Sequence, residues 1–257
     1  MPLPAMPLPF VMVAPNGARR GKSDHPALPI TLPEIIETAR SCYAAGAHGL
    51  HLHIRDDQGA HSLDSGRYRE ALAELGRALP ELLVQITTEA VGLFSVADQL
   101  ACLAQVRPAW ASIAVREIAR DGGLAPQVYA TCAEAGTRVQ HIVYDPDDLA
   151  LLHDWQSQGI IQPGQDDVLC VLGRYSQGQQ SLPSDLAPFL AHLPPNGQKM
   201  LCAFGGQEHA CLAAGAAHGF ALRVGFENSL TNAQGTPHQD NAASVAALIA
   251  LLQRTPA

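Results

Sequence analysis

The chain has 257 residues, 47% of them apolar, which is enough for one large domain with a sizeable core. Its formal net charge of -8 argues against a general nucleic-acid binder, which needs a basic footprint. No apolar run reaches the roughly 20 residues of a membrane helix, the start MPLPAMPLPF lacks the charged n-region of a signal peptide, and six scattered cysteines with no CxxC pair read as reduced thiols. A soluble cytoplasmic protein is therefore expected, with neither nucleic acid nor membrane as a partner.

Short β-branched runs then alternate with longer Ala/Leu-rich segments. FVMVAP precedes TLPEIIETARSCYAAG, where Thr31 and Glu34 have the spacing of a capping box and Gly46 ends the helix. HGLHLHI precedes DSGRYREALAELGRAL; LLVQIT precedes SVADQLACLAQV; WASIAV precedes APQVYATCAEAG. RVQHIVY precedes DDLALLHDWQSQG, DVLCVLG precedes PSDLAPFLAHL, and KMLCAFG precedes QEHACLAAGAAHG. FALRVGF precedes a last helix within QDNAASVAALIALLQR. Such alternation implies parallel strands with crossover helices, and eight units in about 250 residues is the size of an α/β (β/α)8 TIM barrel. An open doubly wound sheet is the alternative, but no GxGxxG turn follows an early strand. No composition break divides residues 1–257, so a single domain is expected.

Active sites of such barrels lie at the C-terminal ends of the strands. In HGLHLHIRD, residues two apart share a face, so Gly49, His51, His53 and Arg55 oppose Leu50, Leu52 and Ile54. In LRVGFEN the same parity groups Arg223, Gly225 and Glu227. The second and eighth strands both flank the first, so His51, His53 and Glu227 can converge as a three-ligand set for an open catalytic Zn²⁺ site. A hydrogen-bonded pair of core histidines is the competing reading. Arg223 is either an anion clamp or half of a structural ion pair. Thr87 and Thr88, followed by Glu89, end the third strand and offer hydroxyls to a substrate or to the next turn. Arg116 and Glu117 end the fourth, where charged residues are usually solvated, and His141 on the fifth reads as packing. The loop PNGARRGKSDHPALP is locally basic through Arg19, Arg20 and Lys22, and suits an anionic substrate or the phosphates of coenzyme A.

Together NGAR…HPALPITLPEI, AGAHGLHLHIRDDQG, QITTEAVG, LGRYSQGQQS and RVGFENSL…DNAASV resemble the β-keto acid cleavage enzyme family, 3-keto-5-aminohexanoate cleavage enzymes included, over nearly the whole chain. The resemblance implies a (β/α)8 barrel, a homotetramer, and zinc or another divalent metal held by His51, His53 and Glu227. It implies condensation of a β-keto acid with acetyl-CoA, the cosubstrate, through Claisen and retro-Claisen steps to acetoacetate and a new acyl-CoA. Arg223 matches the family's motif arginine and Thr87 its Ser or Thr beside the substrate. Asn16, Arg19, Thr88 and Asn228 are the expected substrate contacts.

Two departures bear on substrate and mechanism. Family members with amino-acid-derived substrates read GAE and FED where this chain reads GAR and FEN, so Arg19 and Asn228 replace acids. Reversed charge at Arg19 argues for an anionic or neutral keto acid over an amino-bearing one. Asn228 cannot be a general base; that role could pass to the substrate, a metal-bound water or another acid such as Glu117. Two other functions compete: a metal-dependent barrel hydrolase, although those carry HxH on strand one, and a non-catalytic metal- or ligand-binding relative.

Overall fold

The computed structural model describes residues 9–254; most of the MPLPAMPLPF segment lies outside the described residues. In chain order the elements are β1 (Val11–Val13), α1 (Leu32–Ala44), β2 (Gly49–Leu52), β3 (Ile54–Arg55), β4 (His61–Ser62), α2 (Ser65–Ala78), β5 (Leu83–Thr87), α3 (Val96–Val106), β6 (Trp110–Ala114), α4 (Val115–Ile118), α5 (Ala125–Ala135), β7 (Arg138–Val143), α6 (Pro146–Ser157), β8 (Asp167–Leu172), α7 (Ala187–Leu190), β9 (Lys199–Ala203), α8 (Glu208–Ala217), β10 (Ala221–Val224) and α9 (Asn241–Arg254). The sheet closes in the order β1-β10-β9-β8-β7-β6-β5-β2. Its strands are parallel throughout, as crossover helices require. This is the expected (β/α)8 barrel.

Side-chain alternation divides the apolar residues into two clusters. Val11, Val13, Leu50, Leu52, Ile86, Val139, Val168 and Leu222 point outward and pack under the helices. Met12, Trp110, Leu169, Met200 and Ala221 point inward and join a separate cluster with Phe10 and Phe204. Polar inward residues sit above this plug: Gln85 Nε2 donates to Gln140 Oε1 at 3.1 Å.

Helix ends follow local chemistry. Thr31 caps α1, and the Glu34 carboxylate accepts from the Thr31 backbone N–H at 3.0 Å, as the capping-box spacing predicts. Ser95 caps α3 in the same way. The segment expected as a helix after β8 is reduced to a 3-10 turn, Pro183–Leu186, and the single turn α7. Pro188 lacks the N–H that a helix continuing from Pro183 would need at its interior. All six cysteines are free and buried, and among the described residues no helix is long and apolar enough to cross a membrane.

Trp110 is fully buried in the barrel interior. Trp110→Ala is expected to lower stability by about 3–5 kcal/mol, and Ser95→Ala by about 1 kcal/mol. Urea denaturation of the two variants checks the order.

Candidate active site

The mouth of the barrel is built around β1. β2 pairs with it on one side and β10 on the other, with Met12 in register with both Gly49 and Arg223. His51 projects inward from β2. His53 follows at the break between β2 and β3, where the chain leaves the barrel for a short hairpin. β10 ends at Val224, and a turn at Gly225 carries Glu227 back over the mouth, with the Asn228 N–H donating to the Gly225 carbonyl at 2.8 Å. Glu227 thus arrives by a turn, not by continued strand alternation. The result is three convergent ligand atoms: His51 Nε2 and His53 Nε2 lie 3.2 Å apart, and Glu227 Oε2 is 3.7 and 3.6 Å from them.

Each of these side chains is held from behind. His51 Nδ1 lies 2.8 Å from Gln85 Oε1; donation to that oxygen leaves the Nε2 lone pair facing Glu227. The Asn16 amide donates to the His53 carbonyl at 3.2 Å. Arg20 donates to the Phe226 carbonyl, bracing the turn that carries Glu227. Gly17, at φ +59°, lies where a Cβ would come within 2.7 Å of Glu227 Cγ, so the first loop can close on the carboxylate only with glycine there. Arg55 leaves the imidazole face that simple alternation predicts. It donates instead to the Gly17 and Arg20 carbonyls at 2.6 and 2.9 Å and ties the first loop down.

Burial, Arg223 and His53 together hold the His51 imidazole well below its ordinary pKa, so it is neutral. Burial pushes the Glu227 carboxyl up, but Arg223, His53 and His51 outweigh it and keep it well below the ordinary carboxylate value. Arg223 is buried, with Nη2 3.5 Å from Glu227 Oε1 and 3.4 Å from Cys202 Sγ. Its Nε and Nη1, and Glu227 Oε2, have no hydrogen-bond partner among the described residues. Unsatisfied buried donors and acceptors are costly, and their concentration at one point marks a place built for a ligand.

Residues 9–257 match the family model described as beta-keto acid cleavage enzyme. The chain belongs to this family. It is similar to the 3-keto-5-aminohexanoate cleavage enzyme of Acetoanaerobium sticklandii, 24% identical over 253 residues, covering 94% of this chain and 90% of that enzyme. The match to the enzyme of the same name from Fusobacterium nucleatum is 36% identical over 85 residues and spans 33% of this chain and 31% of the relative's length. The 3-oxoadipate:acetyl-CoA acetyltransferase of Cupriavidus necator is 31% identical over 103 residues, covering 37% of this chain and 36% of that protein. ObcA, solved with oxaloacetate, superposes with a TM-score of 0.65 at 16% identity, covering 89% of this chain and 64% of that one, a likeness of fold.

The cavity beside this family member's His-His-Glu cluster is lined by Thr87, Glu89, Tyr144, Arg174, Phe204 and Arg223. It adjoins a space of about 90 Å³ lined by Asn16, Arg19, Arg20, Glu89, Arg174 and Glu227. Thr87 therefore reaches the site as expected. Thr88 does not line either space: alternation turns it outward, and its hydroxyl donates to the Ser112 carbonyl at 3.1 Å. Asn228 is fully buried and lines neither space; its amide donates to Glu208 Oε1 and to the Arg223 carbonyl, both at 3.1 Å. It supports the turn before Glu227. Glu208, pushed up to about 8 by burial, escaped the sequence reading because it opens α8, where acids are ordinary. Glu117 also lies outside the lining, accepting from the Ala90 N–H and Gln99 Nε2, both at 2.9 Å; Glu89 lines the cavity together with Glu227. Arg116 is engaged by Asp145 and Asp148 and is not simply solvated. Lys22 pairs with Glu34 at 2.8 Å. His141 packs, as expected, with Nε2 2.9 Å from the Gln165 carbonyl. Gln85 and Arg174 were missed. An inward glutamine in the apolar run LVQIT was a readable signal; Arg174 lies in the stretch LGRYSQGQQS that resembles the family, but no strand parity there assigned it a role. A larger groove of about 340 Å³ between α1, α2 and the hairpin holds none of the candidate residues.

Glu117 offers a test of this placement. Burial pushes its carboxyl up to about 7, so between its ordinary pKa near 4.5 and 7 the folded state keeps a proton that the unfolded chain has released. That contribution to stability is present at low pH and is lost as pH rises through this window. Wild-type stability should therefore fall relative to Glu117→Gln between pH 4.5 and 8, by an amount on the order of 1–3 kcal/mol. Equal pH profiles for the two proteins would show that Glu117 is not buried in this way.

Proposed function

We propose that this chain is a divalent-metal-dependent acyltransferase that converts a β-keto acid and acetyl-CoA into acetoacetate and a new acyl-CoA. The observation that carries this reading is the meeting of His51, His53 and Glu227 beside the buried Arg223 in a member of this family. The acetyl-CoA named for the Cupriavidus relative supports the choice of cosubstrate.

The donor set fits a metal. Two imidazoles and one carboxylate suit zinc, and also cobalt, manganese or nickel. The 3.2 Å between the imidazole nitrogens is close to the edge that two bonds of about 2.0–2.1 Å subtend at a tetrahedral centre. The unpartnered Glu227 Oε2 would supply the third ligand atom. A metal held there would act as a Lewis acid toward the carbonyl and carboxylate of the keto acid.

The remaining chemistry belongs to side chains. Arg223 presents its unpartnered Nε and Nη1 to the negative charge that develops as C2 passes a proton to Glu89, the cavity carboxylate outside the His51, His53 and Glu227 cluster. The Thr87 hydroxyl accepts from the Glu89 N–H at 3.0 Å, so its own proton is available to a substrate oxygen. The C2 carbanion attacks the thioester carbonyl, and CoA thiolate leaves. The thiolate then attacks the original keto carbon, the bond between C2 and that carbon breaks, and C2 regains a proton. The products are acetoacetate and the new acyl-CoA. Arg19, exposed at the rim with no hydrogen bond or ion pair among the described residues, favours an anionic or neutral acid over a cationic one.

Zinc-loaded protein supplied with acetyl-CoA and cationic, neutral and anionic β-keto acids is expected to release acetoacetate with one class, and His51→Ala with none. Metal-loaded wild type that turns over nothing in the panel would refute the proposal. Gln85→Leu removes the oxygen that orients His51 and should weaken zinc binding about 10- to 100-fold, as read by chelator competition. Arg19→Glu should shift preference away from anionic acids by less than about tenfold, because solvent screens an exposed charge.

A further inference from the structure

We infer that Arg174 forms a second anion subsite, and that the substrate is a β-keto acid with a further carboxylate at the end remote from the reacting carbons. The inference rests on the proposed function and deepens it by naming the substrate class and the residue that selects it.

Arg174 lines both the space beside His51, His53 and Glu227 and the adjoining space under Arg19. A ligand whose keto-acid end occupies the first would extend past this guanidinium. The side chain is only 13% exposed, so water screens it poorly. It makes no hydrogen bond among the described residues. Its nearest acid is Glu89, with Arg174 Nη2 3.6 Å from Glu89 Oε1, beyond the 2.7–2.9 Å of a charge-assisted hydrogen bond. The guanidinium instead lies over the Phe204 ring at 5.2 Å and the Tyr175 ring at 5.9 Å. Aromatic faces hold the planar fork and leave its donating edge for a carboxylate.

The loop that carries Arg174 is set in place. Gly173, at φ +75°, lies where a Cβ would come within 2.7 Å of the Gln180 carbonyl oxygen, so the loop folds tightly back on its root. The Ser181 hydroxyl donates to the Phe204 carbonyl at 2.7 Å, and Gln179 Nε2 to the Arg174 carbonyl at 3.4 Å. A guanidinium fixed before binding loses less entropy when it binds.

The charge balance points the same way. Arg19, Arg20 and Arg174 line the outer space against Glu89 and Glu227, and Glu227 faces the two imidazoles. Arg20 turns its donors to backbone carbonyls, which carry no compensating charge. Burial lowers the Arg20 pKa against the opposing pull of Glu208, Asp24 and Glu227, and Arg174 adds a smaller repulsion. An anion between these cations relieves that repulsion.

The test compares a six-carbon 3-oxo diacid with the six-carbon 3-oxo monoacid, in wild type and in Arg174→Gln, Arg174→Lys and Arg174→Glu. Wild type should favour the diacid in kcat/KM by about 10- to 100-fold. Arg174→Gln should erase that preference chiefly through KM, Arg174→Lys should restore part of it, and Arg174→Glu should reverse it. Using the ratio of the two acids cancels any loss of activity or folding that affects both alike. No preference in wild type, or a preference that survives Arg174→Gln, would overturn the inference while leaving the acyl-transfer reading intact. Should wild type turn over neither acid, calorimetry with glutarate against butyrate still decides the subsite. Tighter glutarate binding that Arg174→Gln abolishes supports it; equal binding of the two acids overturns it.

Discussion

Two imidazole nitrogens and a carboxylate oxygen meet on opposite flanks of β1, and the rest of the barrel mouth is arranged to keep them there. The nitrogens are 3.2 Å apart, yet His51 is kept neutral by burial and by Arg223, so no charge attraction joins them. The proximity is imposed from outside. Gln85 orients one ring, Asn16 and the β2–β3 break place the other, and Arg20 and Gly17 press the Glu227 turn inward. Arg55 ties the loop that does the pressing. A local change at any of these points alters the geometry of all three ligand atoms.

The arrangement is costly. Arg223, Glu227 and His53 keep buried polar atoms without partners, each a penalty on the order of 1–3 kcal/mol or more for charged groups. The lower half of the barrel offsets this with an apolar plug around Met12, Trp110, Leu169 and Met200. Division of labour along the strands follows: the N-terminal ends supply packing, and the C-terminal ends carry the polar cluster and the loops that line the cavity. Arg174 belongs to the second group. It sits on a loop after β8, outside the regular alternation, where a change of residue leaves the ladder intact.

Much of this was legible in the sequence because strand alternation has a period of two. That rule separated Leu50 and Leu52 from His51, and Leu222 and Val224 from Arg223, correctly. Applied strictly, it would also have separated Thr87 from Thr88, which the structure divides between cavity and backbone support. The rule failed where strands ended early. Arg55 was lost to the hairpin and Glu227 was delivered by a turn, since neither break is visible in HIRD or VGFEN without the neighbouring chain. Glu208, Glu117 and Arg174 were illegible for a related reason. Their roles depend on what packs against them from distant segments, and the residue types are ordinary for helix starts and loops.

The proposed function depends on the His51, His53 and Glu227 cluster holding a metal ion. The most direct measurement is X-ray absorption spectroscopy of the zinc-loaded protein, with equilibrium dialysis for stoichiometry, on wild type and Glu227→Gln. The account predicts one zinc per chain with two imidazole nitrogens and oxygen ligands, and a shell that loses its carboxylate signature in the variant. Absence of bound metal, or a shell unchanged by Glu227→Gln and by His51→Ala, would contradict it.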